Sequence, residues 1–153
     1  MSKGTIIIGV GNILRQDDGI GPRIVEHLDS IDLNGKATLV DGGVDALALI
    51  DYIKDYRNAI IIDAVNMGLD PGEIRVFTPD EAVLNTRWDS LSTHGFGLAE
   101  VLNLVRELGV ETNLKIVGVQ PKETAFGEYL SKEVSKQIDG IIRVVMEIIN
   151  NYG

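Results

Sequence analysis

The feature that most restricts the fold is an alternation of short, wholly apolar runs with amphipathic ones. "GTIIIGVGN" (4–12), "KATLVDGG" (36–43) and "NAIIIDAV" (58–65) are β-branched runs bounded by glycine, aspartate or asparagine. That composition and length read as buried strands. Between them, "GPRIVEHLDSI" (21–31) places Ile24, Val25, Leu28 and Ile31 at helical spacing, with Pro22 suited to a first turn. "DALALIDYIKD" (45–55) repeats the helical period. A strand with no polar face must be covered on both sides, so the pattern calls for a parallel sheet between two helical layers.

The second half adds a turn, "DPGE" at 70–73, with Pro71 and Gly72 in the central positions of a type II turn. "GEIRVFTP" (72–79) follows too closely for a crossover helix and is read as an antiparallel neighbour of the third strand. "GLAEVLNLVRELG" (97–109) is an amphipathic helix, "NLKIVGVQP" (113–121) a strand, and "SKEVSKQIDGIIRVVMEIINN" (131–151) one long final helix. The expected fold is an α/β three-layer sandwich over 1–153 as a single domain. Its sheet is mostly parallel and twisted, of about five strands with one antiparallel, and helices cover both faces.

Composition removes several functions. The net charge is −9 and no Lys/Arg run occurs, which disfavours nucleic acid and anionic lipid as partners. No apolar stretch is long enough to span a bilayer, and the first residues lack the pattern of a secretory signal. No membrane insertion and a cytoplasmic location are therefore expected, with a monomer as the simplest state. The chain has no cysteine, so thiolate metal sites and a Cys nucleophile are absent. His27 and His94 are the only imidazoles, and any metal site must be built from them and from carboxylates. His27 lies inside the first helix and is read as having no role.

Ligands of open α/β sheets collect beyond the carboxyl ends of the parallel strands. Asn12, Asp17 and Asp18 follow the first strand, Asp41 ends the second before Gly42 and Gly43, and Asp63 ends the third. Gln120 and Pro121 end the last strand, and His94 precedes a helix in a loop that can fold over the same rim. Asp, Asp and His together suit a divalent transition ion with open positions. Each residue also has a plain structural reading, Asp63 as a helix or turn cap although no helix follows it. Asp17 or Asp18 can cap the following helix. Asp41 before two glycines can be turn chemistry, and His94 can be a cap.

"GVGNILRQDDGIGP" (9–22) begins like a dinucleotide-binding turn, but Leu14 stands where the third glycine belongs and two carboxylates follow. No phosphate-loop Gly-Lys-Ser/Thr is present. "SLSTH" (90–94) sets hydroxyls beside His94, but no G-x-S-x-G elbow accompanies it.

"GVGNILRQDDGIGP", "VDGG" (40–43), "IIIDAVNMGLDPGEIRVF" (60–77), "STHGFGL" (92–98) and "IVGVQP" (116–121) together resemble the nickel–iron hydrogenase maturation endopeptidases nearly end to end. The resemblance implies an endopeptidase that trims the C-terminal extension of a hydrogenase large-subunit precursor after nickel insertion. Matched by motif, Asp18, Asp63 and His94 would be the nickel-recognising and catalytic residues; the family also takes Glu at the position of Asp18. Nickel would be presented by the substrate, with zinc or cadmium able to take its place in crystals and no tightly bound cofactor of the peptidase's own. Asp41, Gly42 and Gly43 would let an extended substrate tail cross the strand ends, since glycine leaves room there. Either the metal or a carboxylate would activate the attacking water. The competing class is a non-enzymatic, metal-dependent docking or chaperone protein on the same fold.

Overall fold

A computed structural model describes residues 3–44, 46–84 and 98–152. Among them lie β1 (Lys3–Val10), a short 3-10 turn (Gln16–Gly19), α1 (Ile20–Asp29), β2 (Thr38–Gly43), α2 (Ala46–Ile53) and β3 (Tyr56–Ala64). Then follow β4 (Ile74–Phe77), α3 (Pro79–Leu84), α4 (Leu98–Glu107), β5 (Asn113–Val119), α5 (Lys132–Ser135) and α6 (Ile138–Asn151). The strands form one sheet in the order β2-β1-β3-β5-β4, parallel except for β4.

The period-two alternation of the apolar strands divides the core. Ile6, Ile8 and Val10 of β1, with Ala59 and Ile61 of β3, pack under α2 and α4 against Leu49, Ile53, Val101 and Leu102. Ile7, Ile60 and Ile62 point to the other face and meet Ile24 and Leu28 of α1 and Ile141 and Val145 of α6. Both faces of β1 and β3 are thus sealed, which is why these strands carry no polar alternation.

Two expectations need correction. β4 pairs antiparallel with β5, from Ile74↔Val119 to Phe77↔Ile116, and not with the third strand. β5 takes the place beside β3 because it is apolar on both faces and fits a central position, whereas half-exposed β4 fits an edge. The link 65–73 has only to pass one strand, roughly 10 Å. Buried Gln120 holds it there, its Oε1 accepting the Met67 and Leu69 N–H groups at 2.7 and 3.2 Å. The final helix is also broken. Gln137 donates its N–H to Val134 O at 2.9 Å rather than to Glu133 O. The Glu133 carbonyl instead faces Gly72, where a Cβ would come within 2.5 Å of it. Gly72 has φ +91°, as the central glycine of the expected turn requires.

α1 lies unusually close to the sheet. A Cβ at Gly9 would stand 2.3 Å from Gly21 O, and one at Gly21 would stand 2.3 Å from Ile62 O and 2.6 Å from Val10 N. All of these neighbours are backbone atoms that cannot turn aside. Gly21→Ala is therefore expected to cost about 3 kcal/mol or more, at the severe end of overpacking. That is a fall in Tm of roughly 6–12 °C. Gly4→Ala, with nothing within 4 Å of the added carbon, should leave the melt unchanged. Equal thermal melts for the two variants would contradict this packing.

Candidate functional site

The order β2-β1-β3 sends the chain from β1 to one side through α1 and back past β1 to β3 through α2. α1 and α2 lie on opposite faces. The carboxyl ends of β1 and β3 therefore flank a topological switch point, where an open α/β sheet leaves a crevice. Asp18 and Asp63 belong to the two elements that border it.

Asp63 is the penultimate residue of β3 and fully buried. It shares the parity of Ala59 and Ile61 and so lies on the α2–α4 side of the sheet. Asp18 is also fully buried, in the 3-10 turn that packs against β3. Its Oδ2 accepts the Asn12 N–H at 3.0 Å, and its own N–H donates to Arg15 O at 3.0 Å. Asn12 in turn accepts the Leu14 N–H on its Oδ1 at 2.9 Å, closing a local turn. Gly11, at φ +139°, lets this loop fold onto itself, since a Cβ there would lie 1.9 Å from Asp18 O.

The neighbouring carboxylates have separate work. Asp17 is buried and faces the segment that follows β5. Its Oδ1 accepts the Ser131 N–H at 2.7 Å. Its Oδ2 accepts from Lys122 N at 2.9 Å, Glu123 N at 3.0 Å and Ser131 Oγ at 2.8 Å. Ser131 also caps α5, its Oγ accepting from Val134 N. Asp17 is thus a structural staple, not half of an acidic pair that meets an ion. Neither carboxylate caps α1, whose N-cap is Gly19 with no side-chain bond. Further bonds fasten the same segment: Gln16 N to Gly127 O at 3.0 Å, Gly127 N to Leu14 O at 2.9 Å, and Arg15 Nε to Thr124 O at 3.1 Å. At the base of this segment the Lys122 ammonium bonds Glu133 and holds its carboxyl below the ordinary range. Lys122 is exposed and Glu133 half-buried at the surface, so the pair contributes little.

At the end of β2, Asp41 Oδ1 accepts the Gly43 N–H at 3.1 Å, the turn chemistry open to an aspartate before two glycines. Gly43 is open and left-handed, with φ +60°, and its carbonyl accepts from Gly11 N at 3.0 Å, joining the β1 and β2 ends. Gly42 is buried: a Cβ there would meet Ile8 and Leu49 side chains at 2.5 and 2.8 Å. His94 lies outside the described residues, and with it the third member of the expected trio. Among the described residues, no three or more His, Asp or Glu side chains gather as a metal site.

The family model "Hydrogenase maturation protease" matches residues 22–148. The chain belongs to the hydrogenase maturation protease family. Membership implies peptidase activity. The hydrogenase expression/formation protein HupD of Rhizobium leguminosarum bv. viciae is 30% identical over 151 residues, covering 97% of this chain and 75% of that protein. A putative hydrogenase maturation protease of Methanocaldococcus jannaschii is 30% identical over 151 residues, covering 94% of this chain and 95% of the other. Among solved structures, the hydrogenase maturating endopeptidase HybD from E. coli superposes with a TM-score of 0.80 at 28% identity. That match covers 100% of this chain and 94% of that one. The α/β sheet with its one antiparallel strand is thus the fold of solved hydrogenase maturation proteases.

The two adjacent aspartates of this protease should respond differently to the same conservative change, one losing stability and the other keeping it. Asp17→Asn turns an NH2 group toward backbone N–H donors. Leaving such buried groups unsatisfied costs about 1–3 kcal/mol each. Asp18→Asn keeps an acceptor for the Asn12 N–H and should melt within a degree or two of the wild type, a shift of well under about 1 kcal/mol. Thermal melts of both variants check this; a stable Asp17→Asn would show that the staple is dispensable.

Proposed function

We propose that this protein removes the C-terminal extension of a nickel–iron hydrogenase large-subunit precursor after nickel insertion, and that Asp18, Asp63 and His94 recognise the metal. The observation that carries the reading is the position of Asp18 and Asp63. In a chain of this family, two buried carboxylates border the switch point between β1 and β3. Carboxylate and imidazole donors suit a divalent ion that brings its other ligands with it. Two carboxylates and one imidazole leave coordination positions open for ligands that the ion brings with it, so the protein would meet nickel as part of the substrate. Zinc or cadmium fits the same donors.

Peptide hydrolysis places a water oxygen on the scissile carbonyl carbon and a proton on the departing nitrogen. Two routes fit the residues. The substrate's nickel polarises the carbonyl or the water, or Asp18 or Asp63 takes the water's proton while the ion only orients the bond. In both, an empty precursor lacks the ion that aligns its chain, which makes trimming a check on nickel loading. A non-enzymatic docking protein would bind the same precursor and leave it uncut.

Intact-mass spectrometry of a large-subunit precursor, incubated with the protein before and after nickel loading, tests the reading. The loaded precursor should lose its extension and the nickel-free one should not. His94→Ala and Asp18→Asn should slow trimming by about 100-fold or more, the scale of a lost acid–base or positioning group. An unchanged mass for the loaded precursor would contradict peptidase action on it. Equal trimming of loaded and empty precursor would contradict nickel recognition.

A further inference from the structure

Among the described residues β2 forms the edge of the sheet, hydrogen-bonded to β1 on one side only. Beside it, between β2 and the outer surface of α1, runs a groove of about 410 Å³. Its apolar wall includes Ile13, Val25 and Leu39; its charged members are Glu26, Asp29 and Asp41, with no Lys or Arg among the described residues that line it. No ion pair neutralises these three carboxylates among the described residues. One end of the groove lies at Ile13 and Asp41, next to the Asn12–Asp18 loop and the Gly43–Gly11 hydrogen bond. Ile13 is 47% exposed there, although its neighbours in the loop are held by hydrogen bonds.

We infer that this groove and the open edge of β2 seat the precursor's C-terminal extension as an added, extended strand of apolar and basic side chains. The inference rests on the peptidase reading above. A peptide bond inside a helix has its amide groups engaged within its own segment, so a cleavable segment must be presented in extended form, with the scissile bond beyond the stretch that pairs with the edge. An unpaired strand edge binds such a segment through its backbone, and pockets for alternate side chains supply the choice of sequence. Here Leu39 and the α1 surface take the apolar side chains. Glu26, Asp29 and Asp41 select Lys or Arg by charge complementarity. β2 then guides the chain to its own carboxyl end, where the Asp18 and Asp63 elements lie.

Two measurements separate this inference from the reading beneath it. Fluorescence anisotropy follows two short labelled peptides, one alternating lysine with valine and one alternating glutamate with valine. The basic peptide should bind the wild type and the acidic one should not. The double variant Glu26→Lys/Asp29→Lys, on the exposed face of α1, should weaken binding about tenfold or more. Glu107→Lys/Glu111→Lys, an equal charge change elsewhere, should bind like the wild type. No binding of the basic peptide, or equal losses in the two double variants, would overturn the groove. Trimming of the nickel-loaded precursor by the same proteins is read separately. Wild-type cleavage with an unchanged KM in Glu26→Lys/Asp29→Lys defeats the groove and leaves the peptidase reading standing. No wild-type cleavage alongside selective peptide binding defeats the peptidase reading instead.

Discussion

Everything at the strand ends depends on backbone packed directly against backbone where β1 turns into α1. Gly9 and Gly21 let the start of α1 press onto β1 and onto the Ile62 carbonyl of β3. Gly11 and Gly19 let the connecting loop fold on itself, a Cβ at Gly19 standing 2.7 Å from Ile13 Cα. These contacts leave Asp18 little freedom, and the Asn12 N–H fixes its carboxylate further. A buried carboxylate is costly unless hydrogen bonds or a counter-charge compensate it. The loop meets part of that cost before any ligand arrives, which is how the proposed recognition group can be held ready in a small domain.

Asp17 extends the same constraint to the other end of the chain. One carboxylate gathers the N–H groups of Lys122, Glu123 and Ser131, residues more than a hundred positions away. It couples the β1–α1 loop to the start of the helical pair that covers one face of the sheet. Adjacent aspartates therefore divide structure and proposed function. Asp17 is spent on donors of the 122–131 segment, whereas Asp18 sits on the element that borders the switch point.

Much of this was legible in the sequence, for physical reasons. Ile6–Ile8 and Ile60–Ile62 announce buried strands because a parallel strand needs apolar side chains on both faces. The carboxyl-end rule located the rim. What local patterns lacked was partner identity. Nothing in "DDG" tells which aspartate meets a distant loop, because the donors are backbone groups common to every residue. The neighbour of β4 depended on the competition of two strands for one central position, which spacing alone does not express. The break before α6 falls where the Glu133 carbonyl lies against Gly72, far away in sequence. Gly42 packs against the Ile8 and Leu49 side chains, a contact that its local motif does not announce. His94 lies outside the described residues, and its role rests on the family resemblance.

The central claim is that this protease reads nickel through its own side chains. X-ray absorption at the nickel edge, recorded on loaded precursor freeze-quenched with and without the protein, tests it most directly. The account predicts additional oxygen and nitrogen neighbours at nickel in the mixture with wild type. They should be diminished with Asp18→Asn and with His94→Ala. A nickel spectrum unchanged by wild-type protein, in a mixture that goes on to be trimmed, would contradict recognition by these residues.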